Sequence, residues 1–193
     1  MIPRSKFLAG VCLLVALAGC ERDPELEKIA SLPPFSLIDH RGVTFDLERM
    51  KGHVSIIDFI FTRCGATCPI LTRQMNELAG DLSDADLRFI SISVDPNYDT
   101  PEVLSAYRKG VTDDGRWVFL TGERAEIERL SSEGFSFAIG ESTNPTEPIL
   151  HSRHFVLIDR DGVIRDYYDS NRPEAMEKLR RDARWLAKHT GSK

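Results

Sequence analysis

Two hydrophobic periods alternate along the chain. Val54 to Phe61 is apolar at nearly every position and reads as a strand buried on both faces. Leu87 to Val94, where Ile and Ser alternate, reads as a second core strand, and Trp117 to Leu120 as a short third. Between and after these runs, apolar residues return at helical spacing. Leu71, Met75 and Leu78 line Ile70 to Asp81, Val103, Leu104 and Tyr107 follow Thr100-Pro101-Glu102, and Ile127 and Leu130 line Arg124 to Ser132. Thr100 suits the N-cap and Pro101 the first helical position. Near the start, Phe35 to Asp39 and Val43 to Phe45 read as a hairpin around Arg41-Gly42, and Leu47 to Lys51 as a short helical turn closed by Gly52. Glu141 to Pro148, polar with two prolines, reads as a mobile loop. Phe155 to Asp159 and Val163 to Tyr168 pair through Arg160-Asp161-Gly162, and Pro173 to His189 buries Met176, Leu179, Ala183 and Leu186. This order predicts an α/β domain with a partly parallel sheet and helices on both faces.

The first residues follow neither period. Arg4 and Lys6 precede an apolar stretch, Phe7 to Ala18, of signal-peptide length. A spanning helix needs about 20 apolar residues, so this stretch is too short. It ends Leu17-Ala18-Gly19-Cys20, which resembles a bacterial lipobox. By that resemblance residues 1–19 are a lipoprotein signal, Cys20 carries lipid, residues 20–33 are anchor and tether, and residues 34–190 form the domain. The domain would then sit in the bacterial cell envelope, lipid-anchored and facing the periplasm or the outside. An ordinary cleaved leader with an incidental cysteine is the other reading.

Composition changes this picture in two places. A chain of 193 residues is enough for one domain. Its net charge of −5, with no basic run, argues against nucleic acid as a partner. Of four cysteines, Cys12 leaves with the leader and Cys20 is capped, so Cys64 and Cys68 remain as thiols where disulfides persist.

Those two sit in Phe61-Thr62-Arg63-Cys64-Gly65-Ala66-Thr67-Cys68-Pro69, at a strand-to-helix turn. Amides at a helix start favour negative charge and so favour thiolates. A redox-type motif after the first core strand, with a closing hairpin and helix, points to a thioredoxin-like sandwich carrying an N-terminal hairpin addition. The C-x-x-x-C step puts both side chains on one helical face, with Cβ atoms about 5–6 Å apart. The sulfurs can then chelate one ion or close to a disulfide. Soft thiolates select copper(I), zinc or iron–sulfur clusters. Structural zinc needs four ligands, and no second Cys/His pair at matched spacing is present. A distant histidine completing a two-cysteine site suits copper better. His151 and His154 are the candidates, and three residues apart on an extended chain they point to roughly opposite sides. Spacing alone does not choose between them. His53 reads as an exposed loop histidine.

Several blocks in order resemble the Sco/SenC family of copper-binding, membrane-tethered, thioredoxin-like proteins. They are Phe59 to Cys64 with Cys68-Pro69, Ser91 to Pro96, Asp99 to Leu104, Leu120-Thr121-Gly122, and His151-Ser152 before Leu157 to Gly162. The resemblance implies copper ligation by the two motif cysteines and by a histidine ten residues before the Asp of the Asp-Gly turn. Counting from Asp161 gives His151, leaving His154 as a surface histidine or an auxiliary ligand in transfer. Where the family often has Pro after the first cysteine, this chain has Gly65, which implies a looser turn. Asp95 is a candidate for orienting a ligand, or for accepting backbone hydrogen bonds before Pro96.

The function so implied is a copper-binding assembly factor for the copper centre of cytochrome c oxidase. Its partners would be the oxidase's copper-bearing subunit or another copper carrier. Reversible Cys64–Cys68 disulfide formation would make the pair redox-active and control metal binding. The competing reading is a thiol-disulfide oxidoreductase that reduces the cysteines of the oxidase copper site with the same pair. A thiol peroxidase fits poorly: Phe61 and Gly65 stand three residues before the two cysteines, where that chemistry wants Thr or Ser.

Overall fold

The computed structural model describes residues 26–65, 67–111 and 115–189. Strands β1 (Ala30–Ser31), β2 (Ser36–Asp39) and β3 (Thr44–Asp46) lead into a one-turn helix α1 (Leu47–Met50). Then come β4 (Val54–Ile60), α2 (Thr67–Asp81), β5 (Leu87–Ser93), α3 (Pro101–Tyr107), β6 (Trp117–Thr121) and α4 (Arg124–Arg129). A two-stranded ribbon of β7 (Gly140–Glu141) and β8 (Ile149–Leu150) precedes β9 (His154–Ile158), β10 (Val163–Asp169) and α5 (Pro173–His189). One eight-stranded sheet has the order β1-β10-β9-β4-β5-β6-β2-β3.

The apolar run that opens the pattern becomes the centre. Every residue of β4 is buried; it pairs parallel with β5, from Val54–Leu87 to Ile60–Ser93, and antiparallel with β9. β6 extends the parallel part, and the expected N-terminal hairpin, β2 with β3, adds antiparallel to its far side through Ile38–Thr121. This is the thioredoxin-like sandwich with its hairpin addition. The two hairpin turns share one chemistry. Asp39 Oδ1 accepts the amides of Arg41 and Val43 ahead of Gly42, whose φ is +78°. Asp159 Oδ1 does the same for Asp161 and Val163 at the second turn.

Most element bounds lie within a residue or two of the expected ones, and α5 keeps its bounds and its four expected inward residues, with a buried Asp182 added to that face. The helix expected over Arg124 to Ser132 keeps α-helical bonding only to Arg129. It then widens into a π-type turn, Leu130–Gly134, where the Phe135 amide donates to the Leu130 carbonyl. Residues 26–33, expected at the end of a tether, lie along the sheet edge: β1 pairs with β10 and Leu32 is buried. Cys20 and the leader lie outside the described residues, among which no helix is long and apolar enough to cross a membrane.

Candidate metal centre

The end of β4 delivers the chain to the cysteines, and a buried carboxylate holds it there. Asp99 accepts from the Thr62 amide (3.0 Å), the Thr62 hydroxyl (2.5 Å) and the Ser93 hydroxyl (2.5 Å), and it is fully buried. It therefore bolts the turn to the end of β5. Truncating it orphans those donors inside the protein, so Asp99→Ala should cost about 3 kcal/mol in a urea titration of the reduced domain. A loss below about 0.5 kcal/mol would contradict this role.

α2 begins at Thr67, earlier than the apolar spacing implied, so Cys68 lies in its first turn. The Cys68 amide donates to Cys64 Sγ (3.3 Å), as expected for a sulfur at a helix start. The balance at Cys68 itself goes the other way. Its sulfur is fully buried, and burial pushes its thiol far up, only partly offset by the Phe61 amide at 3.4 Å. The helix start thus does not make Cys68 a thiolate, and a soft cation would have to displace its proton.

His151 faces the pair. Its Nε2 lies 3.3 Å from Cys68 Sγ, and its ring meets Phe61 edge-on at 5.6 Å. Its Nδ1 lies 2.9 Å from the Ser152 carbonyl, which can only accept, so Nδ1 carries the proton and Nε2 keeps its lone pair toward the sulfurs. Burial lowers the His151 pKa, which favours this neutral form. One donor atom each from Cys64, Cys68 and His151 lie within 4.8 Å of one another, the one such cluster among the described residues. The set is two sulfurs and one imidazole nitrogen with no carboxylate, which fits a thiophilic ion and not a hard cation.

The other candidates sit elsewhere. His154 begins β9, bonds the Ser152 hydroxyl and stacks on Phe137 at 6.0 Å. His53 is partly exposed, 3.5 Å from Asp86. Asp95 grips the Arg63 guanidinium (2.6 and 3.1 Å), which lies 4.2 Å over the Tyr98 ring, while its carbonyl accepts the Tyr98 and Asp99 amides. Its backbone carbonyl thus accepts backbone hydrogen bonds, as one of the two expectations had it, while its carboxylate braces the turn through Arg63. Gly65 ties the turn instead of loosening it, because its amide donates to the Thr146 carbonyl at 3.0 Å.

Sequence reasoning missed Asp99 and Asp58. Asp99 stands in the sequence only as the first residue of the block Asp99 to Leu104, with no role of its own. Asp58 is the one charge in the β4 run, and that was its signal. It is fully buried opposite Ser91, and burial pushes its carboxyl up to about 7. The unfolded chain releases this proton near 3.8, so between those pH values the folded state binds more protons. Stability contributed by this group therefore falls as pH rises from about 4 to 7 and is flat above. Asp58→Asn removes that slope. In urea titrations the variant should gain on wild type by about 4 kcal/mol between pH 4 and 8, and parallel profiles would contradict the assignment.

Comparison with known proteins places this geometry. The SCO1/SenC family model matches residues 23–187. The SCO1 protein homolog of Bacillus subtilis is 36% identical over 139 residues, 69% of this chain and 72% of that protein. The structure of BsSco, a member of the Sco family of cytochrome c oxidase assembly proteins with an identified disulfide switch, is similar at a TM-score of 0.72. It is 29% identical, with 82% and 94% of the two chains covered. Bradyrhizobium japonicum ScoI with copper bound is similar at 0.63 and 27% identical, with 79% and 99% covered. Sequence blocks, the similar solved structures and the family match agree, and this chain belongs to the SCO1/SenC family.

Proposed function

We propose that this protein is a copper-binding assembly factor for the copper centre of cytochrome c oxidase, with Cys64 and Cys68 as thiolates and His151 through Nε2 as the three copper ligands. The observation that carries this reading is the convergence of those donors within 4.8 Å, on an imidazole already set in the metal-binding tautomer. Family relatives supply the oxidase and the copper: one is described as an oxidase assembly protein and another holds copper. The lipobox at Cys20 supports a lipid-anchored protein whose domain faces the periplasm or the outside, beside a membrane oxidase. Copper here is cargo. The protein's part is to hold it away from water in a buried three-donor site and to yield it to a partner's donors.

A thiol-disulfide reductase working through the same cysteines is the competing function. Thiol exchange starts from an accessible thiolate, whereas Cys64 is 6% exposed and Cys68 fully buried with its thiol pushed up. Both features favour the metal-carrying reading. One experiment separates the two. The copper-loaded domain is mixed with the copper-free, reduced soluble domain of the oxidase subunit, and the metal-free, reduced domain is mixed with the same acceptor oxidised. Metal transfer to the reduced acceptor is expected. Reduction of the oxidised acceptor without transfer to the reduced one would replace the carrier reading with the reductase.

A further inference from the structure

Residues 142–148 form an arch between β7 and β8, held by its own side chains. The Asn144 carboxamide oxygen accepts both the amide (3.1 Å) and the hydroxyl (2.9 Å) of Thr146. The Asn144 amide donates to the Ser142 hydroxyl (3.1 Å), and the Glu147 amide to the Asn144 carbonyl (3.0 Å). The Ser142 amide closes the base onto the Pro148 carbonyl (2.9 Å), continuing the ribbon whose pairs are Glu141–Ile149 and Gly140–Leu150. These bonds set the direction of one exposed group, the Thr146 carbonyl, which accepts the Gly65 amide.

That contact joins the two halves of the candidate metal centre. Gly65 directly follows Cys64, and β8 ends at Leu150, directly before His151. His151 is thus held to the cysteines by its ring, against Cys68 and Phe61, and by its backbone through the arch. We propose that the Gly65–Thr146 hydrogen bond is a latch: closed, it keeps His151 within reach of the two sulfurs, and its opening is the step by which the imidazole lets go of the metal. A single exposed backbone bond suits such a step, being worth little enough to break repeatedly. Gly65 and Thr146 are positioning residues, since neither offers the metal a ligand of its own. The copper part of this inference rests on the function proposed above.

Gly65 is open to test, because its φ lies outside the left-handed region and alanine is not excluded by strain there. Gly65→Ala keeps the amide, and its Cβ would lie 3.6 Å from the Thr146 carbonyl oxygen, an ordinary contact. Gly65→Pro removes the amide and puts Cδ against that oxygen. Asn144→Ala loosens the arch without touching the cysteine turn. The first readout is the rate at which copper(I) passes from the loaded domain to excess bicinchoninate. Gly65→Pro should speed it roughly fivefold, the worth of one backbone hydrogen bond, with Asn144→Ala moving the same way and Gly65→Ala within about twofold of wild type. The second readout uses metal-free protein. Amide exchange over residues 143–147 should quicken in Gly65→Pro and not in Gly65→Ala.

Equal copper release and equal exchange in the proline and alanine variants would overturn the latch. If Gly65→Pro fails to fold, Asn144→Ala decides, and wild-type behaviour there overturns it too. A wild-type domain that holds no copper would sink the proposed function instead, while the metal-free exchange still judges the latch.

Discussion

His151→Ala should lower copper affinity at least about 100-fold while leaving the domain folded. Losing a group that merely orients a metal ligand commonly costs 10–100-fold, so losing the ligand itself sets that as a floor. The imidazole is also the single nitrogen in the cluster, which among the described residues contains no carboxylate to take over. Disulfide formation between Cys64 and Cys68 should change little in the same variant, because the helix start and the Phe61 amide that meet the sulfurs remain. His154→Ala should bind copper like wild type, since that ring is committed to Phe137 and Ser152. Competition titrations against a chelator of known affinity measure all three. A wild-type value for His151→Ala with a collapsed one for His154→Ala would reverse the ligand assignment.

Oxidation of the cysteine pair should abolish copper binding altogether, and reduction should restore it. Closing the disulfide removes two electrons and two protons to the oxidant, leaving neither sulfur with the charge that binds the metal. The four-residue spacing across the start of α2 brings the sulfurs close enough for either outcome. The two states therefore exclude each other at one pair of atoms, and the redox state of the pair sets when metal can enter. Diamide-treated and dithiothreitol-recovered domain, each given one equivalent of copper and passed over a desalting column, should retain none and about one equivalent respectively. Stoichiometric copper on the disulfide form would place the site elsewhere.

Local pattern carried most of the architecture. The unbroken apolar run of β4 and the alternation in β5 are consequences of burial between layers, and burial leaves that trace in any sequence. Thr100-Pro101 and the Asp-Gly turns are equally local, since the residues that bond are four or fewer apart. What was hidden is held at long range. Asp99 reaches back 37 residues to Thr62, and Gly65 reaches forward to Thr146, pairings that no periodicity records. Which histidine meets the cysteines came from a family offset, because an extended segment shows only that His151 and His154 diverge. The strand register that turns His154 toward Phe137 is a property of the sheet. The thiolate expectation at Cys68 failed for a similar reason: the helix start is visible in sequence, but the complete burial that outweighs it is not.

The central claim, a two-sulfur, one-imidazole copper site, is most directly tested by X-ray absorption of the reduced domain loaded with one equivalent of copper. The account predicts a first coordination shell of two sulfurs and one histidine nitrogen, lost in Cys64→Ser and Cys68→Ser and reduced to sulfur alone in His151→Ala. A shell of nitrogen and oxygen only, or one unchanged in those variants, would contradict it.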